Sequence, residues 1–223
     1  MTAWTDATID AFLKLSTCNV SDALDRLRLR GAPHGLRPLW PGCRKIVGRA
    51  MTLKLVPHGA ESPVLGTLAA IKDAQPGDVM VIDHGGRMDV NSWGGIASFA
   101  ASQRGIVGVV VDGVTRDVDE MRALGFPAYG RGVIQQSIRN RCAYGGHGVD
   151  VQLAGVAVRR GDLVVADNGV VVVSAARITQ VLRVAQACFD GEEQIKAWIA
   201  AGVDPIDAHE RAAYDQMTDD PAS

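Results

Sequence analysis

The chain has 223 residues, of which 47% are hydrophobic, 22% charged and only 5% aromatic, with 25 glycines. That length can bury one sizeable core, and the composition is that of an ordinary globular protein rather than a disordered or fibrous one. A formal charge of -2 with no run of Lys or Arg speaks against a nucleic-acid or anionic-membrane surface, and no apolar run approaches the roughly 18–20 residues of a membrane span.

The N-terminus lacks a basic stretch followed by an apolar core, so no signal peptide is expected, and the protein reads as soluble and cytoplasmic. Cys18, Cys43, Cys142 and Cys188 are widely spaced, without a Cys-x-x-Cys pair. They read as free thiols in a reducing compartment, not as a zinc or redox motif.

In chain order, Thr5-Asp6 starts a helix with Ile9, Phe12 and Leu13 on its apolar stripe; Ser16-Thr17 interrupts it, and a second helix runs from Val20 to Leu27. Residues 31–42 are turn-rich, with Pro33, Pro38 and Pro41. Residues 46–56 alternate as a strand, 63–73 read as a helix, 76–78 as a turn and 79–82 as a strand. Asn91 or Ser92 is expected to cap the helix that Trp93-Gly94-Gly95 opens and Gly105 ends. Ile106 to Val111 reads as a strand covered on both faces and stopping at Asp112-Gly113. A short helix over 118–124 and a short strand over 126–129 follow, whereas 131–147 has no clear period. Residues 149–158 read as a strand pair around Gly155, and 162–173 as a hairpin turning at Asp167-Asn168-Gly169. One long helix, or two, spans 175–201, and the tail from Thr218 is polar and frayed. Gly77-Asp78 to Asp83 echoes Gly161-Asp162 to Asp167, as a half-repeat or as two similar turns leading into strands. No linker divides the chain, so one domain, 1–223, is expected, with N-terminal helices at 5–28, a core at 46–174 and a helical region at 175–217.

The stretch from Val90 to Glu120 contains two loops that chemistry could use, although a glycine pair before a helix reads more often as packing and an adjacent Arg-Asp as a solvated turn. A glycine-opened helix N-terminus offers bare N–H groups and a positive dipole end to a carboxylate or phosphate. Arg116-Asp117 follows the end of a strand, where open α/β sheets bind ligands; Arg can stabilise an oxyanion and Asp can hold a hard divalent cation. The nearby acids Asp83, Asp89, Asp112, Asp119 and Glu120 read mostly as caps or surface. His84 is the best placed of five histidines, none of which has metal-ligand spacing with another. There is no Gly-x-Ser-x-Gly elbow, Gly-x-Gly-x-x-Gly fingerprint or Walker loop.

Several motifs in order carry a resemblance: Ser16-Thr17-x-x-Val20-Ser21-Asp22-Ala23-Leu24, Val47-Gly48-Arg49-Ala50-x-Thr52, Pro76-Gly77-Asp78-Val79, Trp93-Gly94-Gly95, Gly105-x-x-Gly108-Val109-Val110-Val111-Asp112-Gly113-x-x-Arg116-Asp117 and Asp167-Asn168-Gly169-Val170. From Ser16 to about Gly202 the chain resembles the class II 4-hydroxy-4-methyl-2-oxoglutarate/4-carboxy-4-hydroxy-2-oxoadipate aldolases, a family that includes the regulator of ribonuclease E activity. The resemblance implies an α/β fold, the RraA-like αββα sandwich with a swivelling β/β/α-type core, assembled as a homotrimer or homohexamer with sites at subunit boundaries. It implies that Asp117 binds Mg²⁺ or Mn²⁺ directly and that Arg116 contacts the keto oxygen and stabilises a pyruvate enolate. It further implies that the amides of Gly94, Gly95, Ile96 and Ala97 hold the substrate carboxylate. Glu192 of a neighbouring subunit, with Glu193 as the lesser alternative, would bind the metal through water. The activity implied is a metal-dependent lyase on small 2-keto acids, by retro-aldol cleavage or oxaloacetate decarboxylation; the rival is a non-catalytic ribonuclease regulator, or a same-fold lyase with another substrate. One departure stands out. The aldolases carry an acid 21 positions before the arginine, and this chain has Gly95; Asp89 or Asp83 is expected to substitute, or the substrate differs.

Overall fold

The computed structural model describes residues 5–213; the tail from Thr218 lies outside them, as does the end of the expected 175–217 region. Two compact units emerge, one from the helices at the two chain ends and one from residues 32–175.

In the terminal unit, α1 (Asp6–Lys14) is followed at once by α2 (Thr17–Arg26), three residues earlier than the apolar pattern suggests. Ser16 is the reason. Its hydroxyl accepts from Asn19 N–H while the Asn19 side chain accepts from Ser16 N–H, a reciprocal cap that starts a helix rather than only interrupting one.

The central unit begins with a two-residue strand β1 (Arg37–Pro38), then β2 (Ile46–Val56), and α3 (Pro63–Asp73), whose Ser62 cap and first-position proline bear out its expected start. Next, β3 (Asp78–Asn91) runs far beyond the expected 79–82, because Gly85 and Gly86 adopt positive φ and absorb the register shifts that let the strand continue beside its neighbour. After α4 (Gly95–Gln103), β4 (Gly108–Thr115) likewise passes through Asp112-Gly113 instead of stopping there. Then come α5 (Val118–Leu124), β5 (Ala128–Gly130), β6 (Gly132–Val133), β7 (Ala143–His147), the hairpin β8 (Val151–Leu153) and β9 (Val156–Val158), and the hairpin β10 (Leu163–Ala166) and β11 (Val170–Val173). The chain returns to the terminal unit through a 3₁₀ turn at 175–177, one long helix α6 (Ile178–Ala200), and α7 (Pro205–Arg211). The last of these lies within the helical region expected over 175–217, beyond the helix expected to end at Gly202; Asp204 caps it and Pro205 opens it. In this unit α6 runs alongside α2.

The main sheet has the order β1-β5-β4-β3-β2-β10-β11, with β6 beside β4 and β7 beside β2; β2 to β5 are parallel and the hairpin β10–β11 joins antiparallel. Strand alternation divides the core. Met80, Ile82, Val109 and Val111 face one way with Trp93 and Phe126, while Val79, Val81 and Val110 face the other with Leu153, Val164 and Val172. The 77–83 and 161–167 echo is one turn chemistry used twice. Asp78 Oδ2 accepts from Gln75 N–H and Asp162 Oδ2 from Arg159 N–H, each at 2.8 Å. The resulting strands flank β2 in opposite directions. All four cysteines are free. No helix among the described residues is long and apolar enough to cross a membrane.

Candidate active site

The parallel strands β3 and β4 end side by side, and each delivers a loop to the same cleft. From β3 comes Asn91-Ser92-Trp93-Gly94. Asn91 still belongs to the strand and the Ser92 hydroxyl donates to Val114 O, so neither caps α4; Gly94 does, in extended backbone, with no side chain to offer. Trp93 fixes this helix start from below. Its ring is buried and stacked on Phe126 at 6.2 Å, and its indole N–H donates to Ser98 Oγ at 2.7 Å. Ser98 closes the first helical bond onto Gly94 O, which leaves the N–H groups of Ile96 and Ala97 without an acceptor inside the helix.

From β4 comes Arg116-Asp117. Arg116 N–H donates to Trp93 O at 3.0 Å, tying the two loops together. Asp117 is left-handed (φ 56°, ψ 37°), a conformation short polar residues tolerate and others adopt only with strain. It occupies the cap position of α5 without capping it. The carboxylate turns instead to α4: Oδ2 accepts from Gly95 N–H at 3.0 Å and lies 3.3 Å from Arg116 Nε. That Nε is buried and makes no hydrogen bond among the described residues. A buried guanidinium N–H without an acceptor is costly, and a ligand oxygen would relieve it.

Glycine 95 has a structural reason that sequence reasoning missed. A Cβ built there would overlap Glu120 Oε2, and one at Gly94 would come within 2.7 Å of Asp117 Oδ2. The Glu120 carboxylate thus fills the space a side chain at 95 would need, and it lines the same cavity, of about 240 Å³, as Asn91, Gly94, Gly95, Ile96, Ala97, Arg116 and Asp117. Asp117 and Glu120 are cap and third residue of α5, so both project from the same helix end. The expected substitutes are elsewhere. Asp83 is buried, accepting from Gly85 and Gln152 N–H and paired with Lys54. Asp89 is held by Arg87 and faces a neighbouring cleft. Nor does His84 line the site. It is buried, its Nε2–H donates to Val90 O at 3.0 Å, and burial pushes its pKa down.

Asp117 and Glu120 supply two hard oxygen donors beside an open cleft, which fits a Mg²⁺ or Mn²⁺ ion, since such ions keep several waters and need only one or two carboxylates. Among the described residues no cluster of three or more metal-ligating side chains occurs. Glu192 stands on α6 in the terminal unit, where Asn19 Nδ2 donates to it at 3.1 Å; burial and the Glu192 charge together raise the pKa of Asp22. Glu193 is exposed and paired with Lys196.

Residues 17–173 match the family model for RraA-like proteins, described as Aldolase/RraA. The protein DlpA of Legionella pneumophila is 33% identical over 208 residues, 91% of this chain but 34% of that protein, so this chain spans about a third of its length. A Halalkalibacterium halodurans protein named "Putative 4-hydroxy-4-methyl-2-oxoglutarate aldolase" is 34% identical over 80% of this chain and 81% of its own. In solved structures, an uncharacterized protein from Pseudomonas syringae pv. tomato superposes with a TM-score of 0.87 at 32% identity, covering 94% of this chain and 96% of that one. Motifs, fold and family model agree, and the chain belongs to the RraA-like (Aldolase/RraA) family.

Proposed function

We propose that this protein is a divalent-metal-dependent carbon–carbon lyase. It would act on 2-keto acids by retro-aldol cleavage of 4-hydroxy-4-methyl-2-oxoglutarate-type substrates, by oxaloacetate decarboxylation, or by both, releasing pyruvate. The observation that carries this reading is the buried Arg116 Nε, without a hydrogen-bond acceptor, beside the Asp117–Glu120 carboxylate pair at the N-terminus of α4.

The free N–H groups of Ile96 and Ala97, with the dipole of α4 behind them, bind the substrate's C1 carboxylate. Arg116 donates to the 2-oxo oxygen and stabilises the negative charge that grows there as the enolate forms. Asp117, fixed by Gly95 N–H, and Glu120 would hold Mg²⁺ or Mn²⁺, which when bound supplies Lewis-acid polarisation of the 2-keto acid. Retro-aldol cleavage also needs the proton of the C4 hydroxyl removed, and we assign that proton to Glu120, which lines the cavity. Decarboxylation breaks the C3–C4 bond with loss of CO₂ and needs no such base. Glu192 is assigned to the cation's outer contacts from an adjacent copy in a homotrimer or homohexamer. Glu120, in the space that a side chain at position 95 would need, supports the lyase reading despite the departure at Gly95.

Pyruvate release from oxaloacetate and from 4-hydroxy-4-methyl-2-oxoglutarate, with Mg²⁺ and with chelator, tests this. We expect turnover that requires the cation and is lost in Asp117→Ala. Turnover indifferent to chelator would refute the mechanism, and silence on both substrates from folded protein would favour the regulator.

A further inference from the structure

Two residues in the wall of the catalytic cavity carry a buried polar atom with no hydrogen bond among the described residues, and the two need opposite partners. Arg116 Nε is a donor, and the 2-oxo oxygen answers it. Asn91 Oδ1 is an acceptor and needs an O–H or N–H group. Building on the lyase reading, we infer that the substrate meets Asn91 with a hydroxyl beyond the one at C4. The protein would then cleave 3-deoxy-2-oxo sugar acids in preference to 2-oxo acids that lack a hydroxyl at C5.

The acceptor is held in place from both sides. Asn91 ends β3 and is 4% exposed. Its Nδ2 donates to Trp93 O at 3.4 Å, and turning the amide over would set oxygen against oxygen, so the carbonyl end is the one left without a partner. Its backbone N–H donates to Gln136 O at 3.0 Å. The neighbouring hydroxyls of the wall do not satisfy it. Thr67 Oγ1 donates to Pro63 O at 2.8 Å and Ser92 Oγ to Val114 O at 3.1 Å, so each gives its single proton to the backbone. A buried acceptor left bare costs the desolvation of that group, and a donor on the ligand removes the cost.

Elimination then names the donor. The C1 carboxylate and the 2-oxo oxygen are acceptors, met by the N–H groups of Ile96 and Ala97 and by Arg116. The C4 hydroxyl has one proton, which is assigned to Glu120. Pyruvate and oxaloacetate offer no other. An ammonium would stand beside the Arg116 and Arg139 guanidiniums of the same cavity and be repelled. A neutral hydroxyl on C5, the next carbon along, remains.

The surroundings suit a hydroxylated chain. At about 240 Å³ the cavity is smaller than the roughly 300–1,000 Å³ of most ligand sites, but it shares Pro63, Val64 and Arg139 with a cleft of about 910 Å³. The wall of that cleft mixes donors and acceptors, among them His58, Glu61 and Asn140, and Ser62, whose Oγ accepts from Leu65 N–H and keeps its proton to donate. Hydroxyls both donate and accept and can pair with such a mixture, which a hydrocarbon chain would leave bare. In the reaction the C3–C4 bond breaks and its electrons pass into the pyruvate enolate. The C4 hydroxyl proton goes to Glu120, the far half leaves as a hydroxyaldehyde, and protonation at C3 gives pyruvate.

A minimal pair of substrates tests this: 4-hydroxy-2-oxopentanoate and 4,5-dihydroxy-2-oxopentanoate, which differ by the C5 hydroxyl alone and release pyruvate by the same cleavage. With Mg²⁺ present, kcat/KM is measured for both, and for 3-deoxy-2-oxogluconate, in wild type, Asn91→Leu and Asn91→Ala. Leucine keeps the size of the amide and alanine truncates it, so either folded variant reads the loss of the acceptor. In wild type we expect the C5-hydroxylated acids to be favoured at least about tenfold, because the analogue without that hydroxyl leaves a buried acceptor unpaired. In the variants the ratio should fall to about one. A ratio near one in wild type overturns the inference. So does a preference that survives both variants, including one in which all substrates fall equally, as a role toward the cation's waters would give. So does silence on these acids with turnover of 4-hydroxy-4-methyl-2-oxoglutarate; all three outcomes leave the lyase reading standing. Cation-dependent pyruvate release from none of the four substrates instead strikes the lyase reading itself.

Discussion

Replacing Glu120 by Gln keeps its size and removes its ability to take a proton, so the two reactions should separate. General-base assistance contributes about 10²- to 10⁴-fold, or about 3–5 kcal/mol of barrier. Only the retro-aldol route draws on it. At saturating Mg²⁺, so that any weakened hold on the cation is made good, we expect Glu120→Gln to lower 4-hydroxy-4-methyl-2-oxoglutarate turnover by that factor. Oxaloacetate decarboxylation should fall by less than about tenfold. The packing predicts a rescue as well. A Cβ at position 95 overlaps Glu120 Oε2, the free end of a flexible chain, so the collision is relieved by moving Glu120 and not by moving backbone. Gly95→Asp in a Glu120→Ala background puts a carboxylate back into the vacated space and should recover part of the retro-aldol rate. Gly95→Ala alone should displace Glu120 and reproduce its loss in a folded protein. The assay is pyruvate release from both substrates across the variants. An equal loss on both substrates at saturating metal, or a retro-aldol rate untouched by Glu120→Gln, would refute the assignment.

Two further outcomes concern stability. Gly66 lies under the Tyr144 ring, whose hydroxyl is bound to His147 Nδ1 at 2.6 Å; His147 Nε2 is in turn bound to Asp73 at the end of α3. A Cβ at 66 overlaps that ring, so Gly66→Ala should cost about 1–3 kcal/mol in urea unfolding despite the better helix propensity of alanine; a stabilised variant would contradict the packing. His84 is buried, and burial pushes its pKa below the ordinary histidine value of about 6.5. Just below that pH the unfolded chain binds a proton the folded one refuses, so stability should fall as pH drops through about 6.5 and level off once the folded histidine also titrates. His84→Asn, which can still donate to Val90 O, should flatten that slope in denaturant titrations between about pH 5 and 7.

What the sequence disclosed follows the physics of each segment. The strand 46–56, the helices 63–73 and 118–124 and the hairpin over 163–173 carry period and punctuation together, and they appear where expected. Strands β3 and β4 were cut short because Gly85-Gly86 and Asp112-Gly113 have the composition of turns, while their neighbours in the sheet hold them extended. Glycine, strand end and charge singled out Arg116-Asp117 and the α4 start, which the structure brings together, while the roles proposed for them came from the resemblance. Glu120 was not. Asp at a helix start with Glu three residues on looks like a capping pair, and only the left-handed turn at 117 shows that the aspartate faces another helix. The usable signal was the spacing itself, which places cap and third residue at one helix end, read together with a glycine where the aldolases have an acid.

The bracing of α4 by Trp93 has a counterpart in the unstructured passage at 134–142. The groups assigned to bond breaking stand on strand ends and helix starts locked into the core, whereas Arg139 and Arg141 ride on backbone that belongs to no ladder. The passage is nonetheless tied to the site: Asn91 N–H, at the end of β3, donates to Gln136 O, and Ser137, Ile138 and Arg139 line the same cavity as Asp117 and Glu120. A change of length in this loop would therefore be felt at the end of β3 that carries Trp93 and Gly94, whereas a substitution at the exposed Arg139 would leave that bond in place.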